Sequence, residues 1–250
     1  MHRFFLPPEQ TRGEILALSE SDAHHAARVL RVQMGEVVTV LDGAGGELRG
    51  VIESVGKHDV GIRVLERRKH PPRVAEITLV QAVAKTKAMD GLLQKSVELG
   101  AARIVPLVAE RSISHPGDAG DKRAKWQTIA TEAAKQCGAV WLTRIEAPLT
   151  PTAWLKRGEQ FDLVLLGSLL DTPIHPRAHF EQFRTEHGRS PQTVAVIVGP
   201  EGDFSPAEYA AFKTAGAKPI TLGPLVLRVE TAAAYGLAVV NYELSAPLAE

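Results

Sequence analysis

The chain has 250 residues, of which 44% are hydrophobic and 23% are charged, a length that suits one large or two small domains with a substantial core. Lysine plus arginine and aspartate plus glutamate each number 29, so the chain lacks the overall basic surplus of many nucleic-acid-binding proteins. A single cysteine, Cys137, excludes an internal disulfide and a cysteine-rich zinc site. The first residues contain no long apolar segment and no later stretch reaches the length of a membrane span, so we expect a cytoplasmic location.

The first 70 residues predict a short helix followed by closely spaced strands. Ser19-Glu-Ser-Asp22 is a helix-capping sequence, and the segment after it, up to Arg31, separates an apolar face from a basic one. The apolar pattern then predicts strands over residues 36–42, 47–55 and 60–66, joined by short turns that contain glycine. Close-set strands of this kind are typical of a small β-barrel, a common RNA-binding shape.

Residues 67–72 are charged, contain prolines and have no aliphatic side chain, so we expect them to form a linker. Beyond them the periodicity alternates between strand and helix. The predicted strands cover residues 75–84, 104–108, 161–167, 193–198 and 219–222, and the predicted helices cover residues 89–99, 122–136 and about 229–244. This alternation predicts an α/β domain built on a parallel sheet with right-handed crossovers.

The most informative stretch begins at residues 194–198, an unbroken apolar and β-branched run that is typical of a buried parallel strand. The loop Gly199-Pro-Glu-Gly202 ends that strand. A helix start follows, because Ser205 is suited to the N-cap, Pro206 to the first helical position and Glu208 to closing a capping box. The loop therefore lies at the carboxyl end of a strand, where open α/β sheets bind their ligands.

A second predicted strand, over residues 219–222, also ends in a glycine, Gly223. Two strand ends with glycine loops can bring backbone N–H and C=O groups close to one flat ligand, because glycine lacks the Cβ that would hold the ligand away. Such a pair of loops could bind an adenine through backbone groups alone, without contacts from specific side chains. Each loop taken singly is also consistent with an ordinary turn between strand and helix.

Two histidines, His175 and His179, have the spacing of a helical zinc site. Pro173 and Pro176 are expected to disrupt that helix, and the acidic residue of the zinc-protease motif is missing, so we expect no metal.

Three further features have little functional weight. Gly43-x-Gly45 leads into a strand rather than a helix, so we interpret it as a hairpin turn and not as a dinucleotide site. Ser168 and Ser205 lack the sequence context of a nucleophile elbow, and the chain contains no Walker motif.

The two glycine loops also carry a family resemblance. Gly199-Pro-Glu-Gly202 and Leu222-Gly-Pro-Leu-Val-Leu-Arg-Val-Glu-Thr-Ala232, with the capped helix start between them, resemble the signature of the SPOUT-class RNA methyltransferases. Within that class the chain is similar, over nearly its whole length, to the small-subunit (16S) ribosomal RNA uridine N3-methyltransferase family.

The resemblance implies a fold and a cofactor. Residues 1–72 would form a PUA-like RNA-binding β-barrel, and residues 73–250 a SPOUT methyltransferase domain, an α/β parallel sheet with a carboxyl-terminal trefoil knot. Such knots are rare exceptions to the rule that chains are unknotted. S-adenosylmethionine would bind in the knot, and the family is homodimeric with active sites near the subunit interface.

The resemblance further implies methyl transfer to N3 of a uridine, with ribosomal RNA or the small ribosomal subunit as the partner. Because N3 carries a proton at neutral pH, the site must remove that proton or stabilise the uracil anion. Arg228 is our candidate for stabilising negative charge on a carbonyl oxygen, and Glu201 or Glu230 could act as the base. Arg228 could equally form an ion pair with either glutamate.

The remaining candidate residues are expected to bind cofactor or RNA. The cofactor contacts, mostly through backbone atoms, are Leu166, Gly167, Gly199, Glu201, Gly202, Leu222, Gly223, Leu227 and Thr231. The RNA contacts that the resemblance implies are His25, Arg28, Arg31, Lys85, Lys87 and Lys95. The residues themselves are equally consistent with solvated surface positions.

Three positions depart from the family pattern. Asp203 stands where the family usually has glycine, Leu225 stands where it often has arginine, and Gly138-Ala-Val-Trp141 lacks the arginine that usually follows Gln136. Two other functions stay open at this stage. One is a different SPOUT activity, such as ribose 2′-O-methylation of another RNA, and the other is a non-catalytic RNA-binding ribosome-assembly factor.

Overall fold

The computed structural model describes residues 2–56, 59–112, 119–169 and 174–245, with the backbone alone for residues 119–121. The chain divides into two compact units. The first comprises Met1–Pro72 with Thr131–Leu142, and the second Arg73–Ala130 with Thr143–Glu250. The division expected from the sequence, 1–72 and 73–250, differs in leaving residues 131–142 with the second domain.

The first unit contains one five-stranded sheet. Its strands are β1 (Arg3–Phe5), β2 (Ile15–Ala17), β3 (Val37–Leu41), β4 (Gly46–Val55) and β5 (Val60–Lys69). Their order in the sheet is β1-β3-β4-β5-β2, with β1 parallel to β3 and the other pairs antiparallel. Among the described residues β1 and β2 are the edges, so the predicted barrel takes the form of a half-barrel. Its core is aliphatic apart from Phe4.

Helix α1 (Glu20–His25) precedes β3 and continues as a π-helical turn over Ala26–Leu30. The Ser19 hydroxyl accepts a hydrogen bond from the backbone N–H of Asp22, which confirms the predicted cap. Arg31 ends the turn with a left-handed backbone, at a φ of 54°.

The predicted linker over residues 67–72 is wrong in its first half. Residues 67–69 extend β5, where Lys69, Arg68 and Arg67 pair with the first residues of β4. The Arg67 guanidinium also donates to the carbonyls of Thr11 and Gly13. The backbone pairing with β4 lets this basic run continue the strand, although it has no aliphatic side chain.

The second unit alternates strands and helices as the sequence predicts. Its strands are β6 (Glu76–Ala82), β7 (Arg103–Leu107), β8 (Arg144–Ile145), β9 (Leu163–Gly167), β10 (Thr193–Val198) and β11 (Lys218–Ile220). Its helices are α2 (Thr86–Glu98), the first half of α3 (Ala119–Cys137), α4 (Pro151–Leu155), α5 (Pro176–His187), α6 (Pro206–Thr214) and α7 (Val229–Ser245). All six strands are parallel, in the order β11-β9-β10-β6-β7-β8.

Helices cover both faces of this sheet. Trp154 of α4 and Phe212 of α6 pack with Ala195 and Ile197 on one face. On the other face α7 packs so closely that a Cβ on Gly236 would lie 3.2 Å from Val196. Since the strands are buried on both sides, their apolar runs are continuous rather than alternating. The carboxyl ends of β6, β9, β10 and β11 meet at one edge of the sheet, where the two glycine loops begin.

Candidate functional site

A cleft of about 540 Å³ lies at the carboxyl ends of these strands, within the second unit. Both glycine loops line it. The lining residues come from the ends of β9 and β10, the two loops and the start of α7: Lys85, Ala88, Gly167, Ser168, Leu169, Val198, Gly199, Pro200, Glu201, Asp203, Leu222, Gly223, Leu225, Val226, Leu227, Arg228, Val229, Glu230 and Ala232. Pockets at strand ends of open α/β sheets are typical ligand sites.

The first loop turns sharply between β10 and α6. Asp203 has a left-handed backbone with a φ of 57°, and its carboxylate accepts a hydrogen bond of 2.8 Å from the Phe204 N–H. A Cβ on Gly199 would lie 2.8 Å from the same carboxylate, so a larger residue at this position would displace the Asp203 side chain. Aspartate is one of the few residues that tolerate the left-handed region, which explains how it replaces the glycine usual in the resembling family.

The predicted cap of α6 is confirmed in each part. Ser205 is the N-cap, Pro206 follows, and Ser205 and Glu208 exchange both hydrogen bonds of a capping box. The second carboxylate oxygen of Glu208 accepts a hydrogen bond of 2.9 Å from the backbone N–H of Glu110, which follows β7. The capping box therefore fastens α6 to a neighbouring strand end as well as satisfying its own first turn.

Two further hydrogen bonds hold the first loop from outside. The Arg111 guanidinium donates to the Gly202 carbonyl at 3.1 Å, and the Lys85 backbone N–H donates to the Glu201 carboxylate at 3.4 Å. The loop is thus anchored to the residues that follow β6 and β7.

The second loop runs from Thr221 to Arg228 and contains the conformation that only glycine adopts readily. Gly223 has a φ of +102°, and a Cβ there would meet no atom within 4 Å. The Gly223 N–H donates to the Thr221 hydroxyl at 3.1 Å. A left-handed glycine that faces open space leaves its backbone accessible to a ligand.

Arg228 lies at the point where the second loop becomes α7. Its carbonyl accepts the helical hydrogen bond from Ala232 at 2.8 Å, while its side chain is exposed. Among the described residues it forms no ion pair with Glu201 or Glu230, so the guanidinium is available to a ligand. Together with Lys85 it places two cations beside the carboxylates of Glu201 and Glu230 on the cleft wall.

The structure brings most of the predicted cofactor and catalytic residues together. Those that line the cleft are Gly167, Gly199, Glu201, Leu222, Gly223, Leu227, Arg228 and Glu230. Leu166 is instead fully buried in the core under the sheet edge, Gly202 faces Arg111, and Thr231 is exposed in the first turn of α7. None of these three is among the lining residues.

The predicted RNA contacts fall in both units. His25, Arg28 and Arg31 are exposed in the first unit. In the second unit Lys85 lines the cleft, Lys87 is exposed at the start of α2, and Lys95 is paired with Glu98 at 2.8 Å. These positions are compatible with phosphate contacts, which stay a prediction.

Several lining residues were missed by the sequence analysis. Ser168 was weighed there only as a nucleophile. It follows directly after β9, and residues beyond a strand's carboxyl end are the ones that could have been named on position alone. Leu225 and Val226 are 73% and 79% exposed. Their position between the predicted cofactor residues Gly223 and Leu227 could have identified them as lining residues.

The histidine prediction needs a correction. Pro176 does not disrupt a helix but begins α5, and the His175 side chain accepts a hydrogen bond from Arg177 N–H as its N-cap. Proline is tolerated at the first helical position because its missing N–H needs no partner there. His179 is buried, burial lowers its pKa, and its ring faces the Pro219 carbonyl at 3.4 Å. Pro173 lies outside the described residues.

Two features are absent from the described residues. No group of three or more histidine, cysteine, aspartate or glutamate side chains is arranged to hold a metal ion there. No helix in the same part of the chain has the length and apolar character needed to cross a membrane.

Comparison with known proteins gives consistent matches to both units. A family model described as RNA methyltransferase domain matches residues 70–241, and one described as RNA methyltransferase PUA domain matches residues 18–65. Ribosomal RNA small subunit methyltransferase E of Synechocystis sp. is 30% identical over 244 residues, covering 96% of this chain and 77% of that protein.

Two solved structures are similar over almost the whole chain. A Legionella pneumophila methyltransferase in complex with its cofactor SAM has 32% identity and a TM-score of 0.85, with 96% of each chain covered. Ribosomal RNA small subunit methyltransferase E of Neisseria gonorrhoeae, bound to S-adenosyl methionine, has 27% identity and a TM-score of 0.83, with 97% of each chain covered. With its cleft between two glycine loops and these matches along both units, the chain belongs to the RNA methyltransferase family and carries that family's amino-terminal PUA domain.

Proposed function

We propose that this chain transfers a methyl group from S-adenosylmethionine to N3 of a uridine in small-subunit ribosomal RNA. The observation that carries the proposal is the cleft between the Gly199 and Gly223 loops, with Arg228 on its wall. Among the described residues this arginine forms no ion pair with Glu201 or Glu230. The similarity to small-subunit ribosomal RNA methyltransferases supports the choice of substrate.

The residues of the cleft fit the cofactor. A nucleoside needs a slot with apolar walls and exposed backbone groups for the edge of its base. Leu222, Leu227 and Val198 supply apolar walls, and Gly223 leaves open space where a side chain would project. The volume of about 540 Å³ falls within the range of small-molecule sites. We assign the cofactor to this cleft.

The protein's part in the reaction is positioning and charge stabilisation. S-adenosylmethionine supplies a methyl group on a cationic sulfur, so the target nitrogen needs an in-line approach and an available electron pair. Loss of the N3 proton places negative charge on the uracil carbonyl oxygens. We assign Arg228 to stabilise that charge, because its guanidinium is exposed and, among the described residues, forms no ion pair with the cleft carboxylates. Glu201 or Glu230 accepts the proton.

The target base has to leave its stack to reach this cleft. We propose that the exposed His25, Arg28 and Arg31 of the first unit contact RNA phosphates, together with Lys85, Lys87 and Lys95 of the second. We also propose that the chain acts in the cytoplasm.

A homodimer is part of the proposal. Helix α7 leaves two tyrosines outward, with Tyr235 45% and Tyr242 68% exposed. They are seven residues apart and so lie on one helical face. A second copy of the chain would cover this face. The Tyr242→Asp variant should then be monomeric, because it would bury an unpaired charge in the interface. Sedimentation of wild type and Tyr242→Asp at equal concentration tests this, and monomeric wild type at micromolar concentration would contradict it.

The experiment for the proposed function is methyl transfer to defined RNA. Purified protein is incubated with labelled S-adenosylmethionine and, separately, unmodified small subunits, large subunits and naked small-subunit RNA. We expect label in small-subunit RNA alone. Label in the large subunit would contradict the substrate. Cofactor binding without any transfer would favour a non-catalytic assembly factor.

A further inference from the structure

Two hydroxyl groups meet beside the proposed cofactor cleft, outside the motifs that the sequence analysis used. The Ser168 Oγ lies 2.8 Å from the Tyr209 phenol oxygen. Ser168 lines the cleft, whereas Tyr209 belongs to α6 and is buried in the core, with only 6% of its surface exposed. The pair links the interior of the unit to the ligand site.

Ser168 is held from two directions. Its backbone N–H donates to the Ile220 carbonyl of β11 at 3.2 Å, which fixes its main chain. Its side chain faces α6 through Tyr209, whose own N–H donates to the N-cap Ser205 at 2.9 Å. Because β9 lies between β10 and β11, Ser168 stands between the two strands that carry the glycine loops.

The chemistry of Ser168 differs from that of its neighbours. The other polar side chains on the described cleft wall are charged: Lys85, Glu201, Asp203, Arg228 and Glu230. Among these lining residues Ser168 is the one neutral side chain that can both donate and accept a hydrogen bond. Charged groups suit the charged end of an amino-acid-bearing nucleoside, and exposed backbone groups suit its base. A neutral hydroxyl suits the neutral hydroxyls of the ribose.

We propose that Ser168 hydrogen-bonds a ribose hydroxyl of the bound cofactor and that Tyr209 acts as a positioning residue that fixes the Ser168 rotamer. This rests on the proposed function, since it assumes that the cleft binds S-adenosylmethionine. A serine hydroxyl rotates freely, and a buried partner limits that freedom before the ligand arrives.

Calorimetric binding tests the inference without any catalytic readout. The ligands are S-adenosylhomocysteine and its analogues lacking the ribose 2′- or 3′-hydroxyl. The proteins are wild type, Ser168→Ala, Tyr209→Phe, the double variant and Ser190→Ala, a control on the connection before β10, away from the cleft. Thermal melting without ligand establishes that each variant is folded.

We expect Ser168→Ala to weaken S-adenosylhomocysteine binding by about five- to tenfold, the effect of one lost hydrogen bond. One deoxy analogue should show a similar loss with wild type and no further loss with Ser168→Ala. Tyr209→Phe should weaken binding by a smaller factor and add nothing in the double variant. Ser190→Ala should bind like wild type.

Three results would overturn the assignment. Equal affinity of wild type for the parent ligand and both deoxy analogues would contradict the contact with the ribose. Full affinity in Ser168→Ala would contradict the role of Ser168. An unchanged affinity in Tyr209→Phe would remove the positioning role. Failure of wild type to bind S-adenosylhomocysteine or S-adenosylmethionine at all would instead contradict the proposed function, and the inference with it.

Discussion

Asp203 illustrates how one residue can depart from a family pattern and keep its backbone. Its φ of 57° lies in the left-handed region, where a Cβ costs about 1–2 kcal/mol. Its carboxylate offsets part of this cost by accepting the Phe204 N–H at 2.8 Å. The family resemblance marked the position as a departure from the usual glycine, and the dihedral angle shows why aspartate and glycine both suit it.

We predict that Asp203→Ala lowers the free energy of unfolding by about 1–2 kcal/mol, because alanine keeps the strain and loses the hydrogen bond. Asp203→Gly should be closer to wild type, since glycine removes the strain. Urea unfolding of the three proteins gives the comparison. If the alanine variant is as stable as the glycine variant, the strain argument is wrong.

Arg228 supports a prediction about catalysis. We expect Arg228→Ala to retain S-adenosylmethionine affinity and to lose about 100-fold or more in turnover, as for removal of one oxyanion-stabilising donor. Single-turnover rates and equilibrium binding, measured separately, give the two quantities. Lys156→Ala, an exposed cation on the same unit after α4, is the control and should behave like wild type. Loss of cofactor affinity alone in Arg228→Ala would contradict the role.

The contribution of Asp162 to the stability of the fold depends on pH. Its carboxylate accepts two hydrogen bonds from Arg189, at 2.7 and 2.8 Å, and others from the backbone of Gln192 and Thr193. These bonds, those from Arg189 foremost, hold the pKa of Asp162 well below its usual range. A lowered pKa in the folded state means that the stabilisation is complete above the unfolded pKa of about 4 and declines as the pH falls further.

We therefore expect Asp162→Asn to lower the free energy of unfolding by about 1–2 kcal/mol at pH 7. The difference from wild type should shrink as the pH falls below about 4. Urea unfolding of both proteins at a series of pH values measures this difference in the free energy of unfolding. A difference that stays constant between pH 7 and pH 3 would show that the ionised carboxylate is not the source.

At the scale of elements, helix α6 was predicted most completely. Its cap, its first proline and its capping box are local signals that act within four residues. Helix α5 was missed because Pro176 was interpreted as a helix breaker, although it occupies the first helical turn. The short strands β1, β2 and β8 were missed too. Each has two or three residues, too few for a periodic pattern.

The capping box of α6 should influence the site as well as stability. Glu208 accepts the N–H groups of Ser205 and Glu110 at 3.0 and 2.9 Å. We predict that Glu208→Ala costs about 1–2 kcal/mol of stability and weakens S-adenosylmethionine binding several-fold, since the first loop loses an anchor. Glu181→Ala, on the exposed side of α5, is the matched control. If the folded Glu208→Ala variant keeps its cofactor affinity, the claim that this cap supports the cofactor cleft is wrong.

At the scale of the whole molecule, the alternation of strands and helices predicted the parallel sheet. It could not predict the strand order β11-β9-β10-β6-β7-β8, because order depends on contacts between distant segments. For the same reason it did not assign Thr131–Leu142 to the first unit. Both glycine loops were found from sequence because each follows an apolar strand and carries a local motif. The pairing of Ser168 with Tyr209 was not predicted, because one hydrogen bond between distant segments leaves no local sequence pattern. The trefoil knot stays a prediction.

The most direct test of the central claim is the identity of the methylated nucleoside. Small-subunit RNA methylated by the purified protein is digested to nucleosides and analysed by mass spectrometry against synthetic standards, with Arg228→Ala as the control. We predict N3-methyluridine from wild type and little or none from the variant. A ribose-methylated nucleoside, or a methyl group on another base, would keep the family and contradict the proposed reaction.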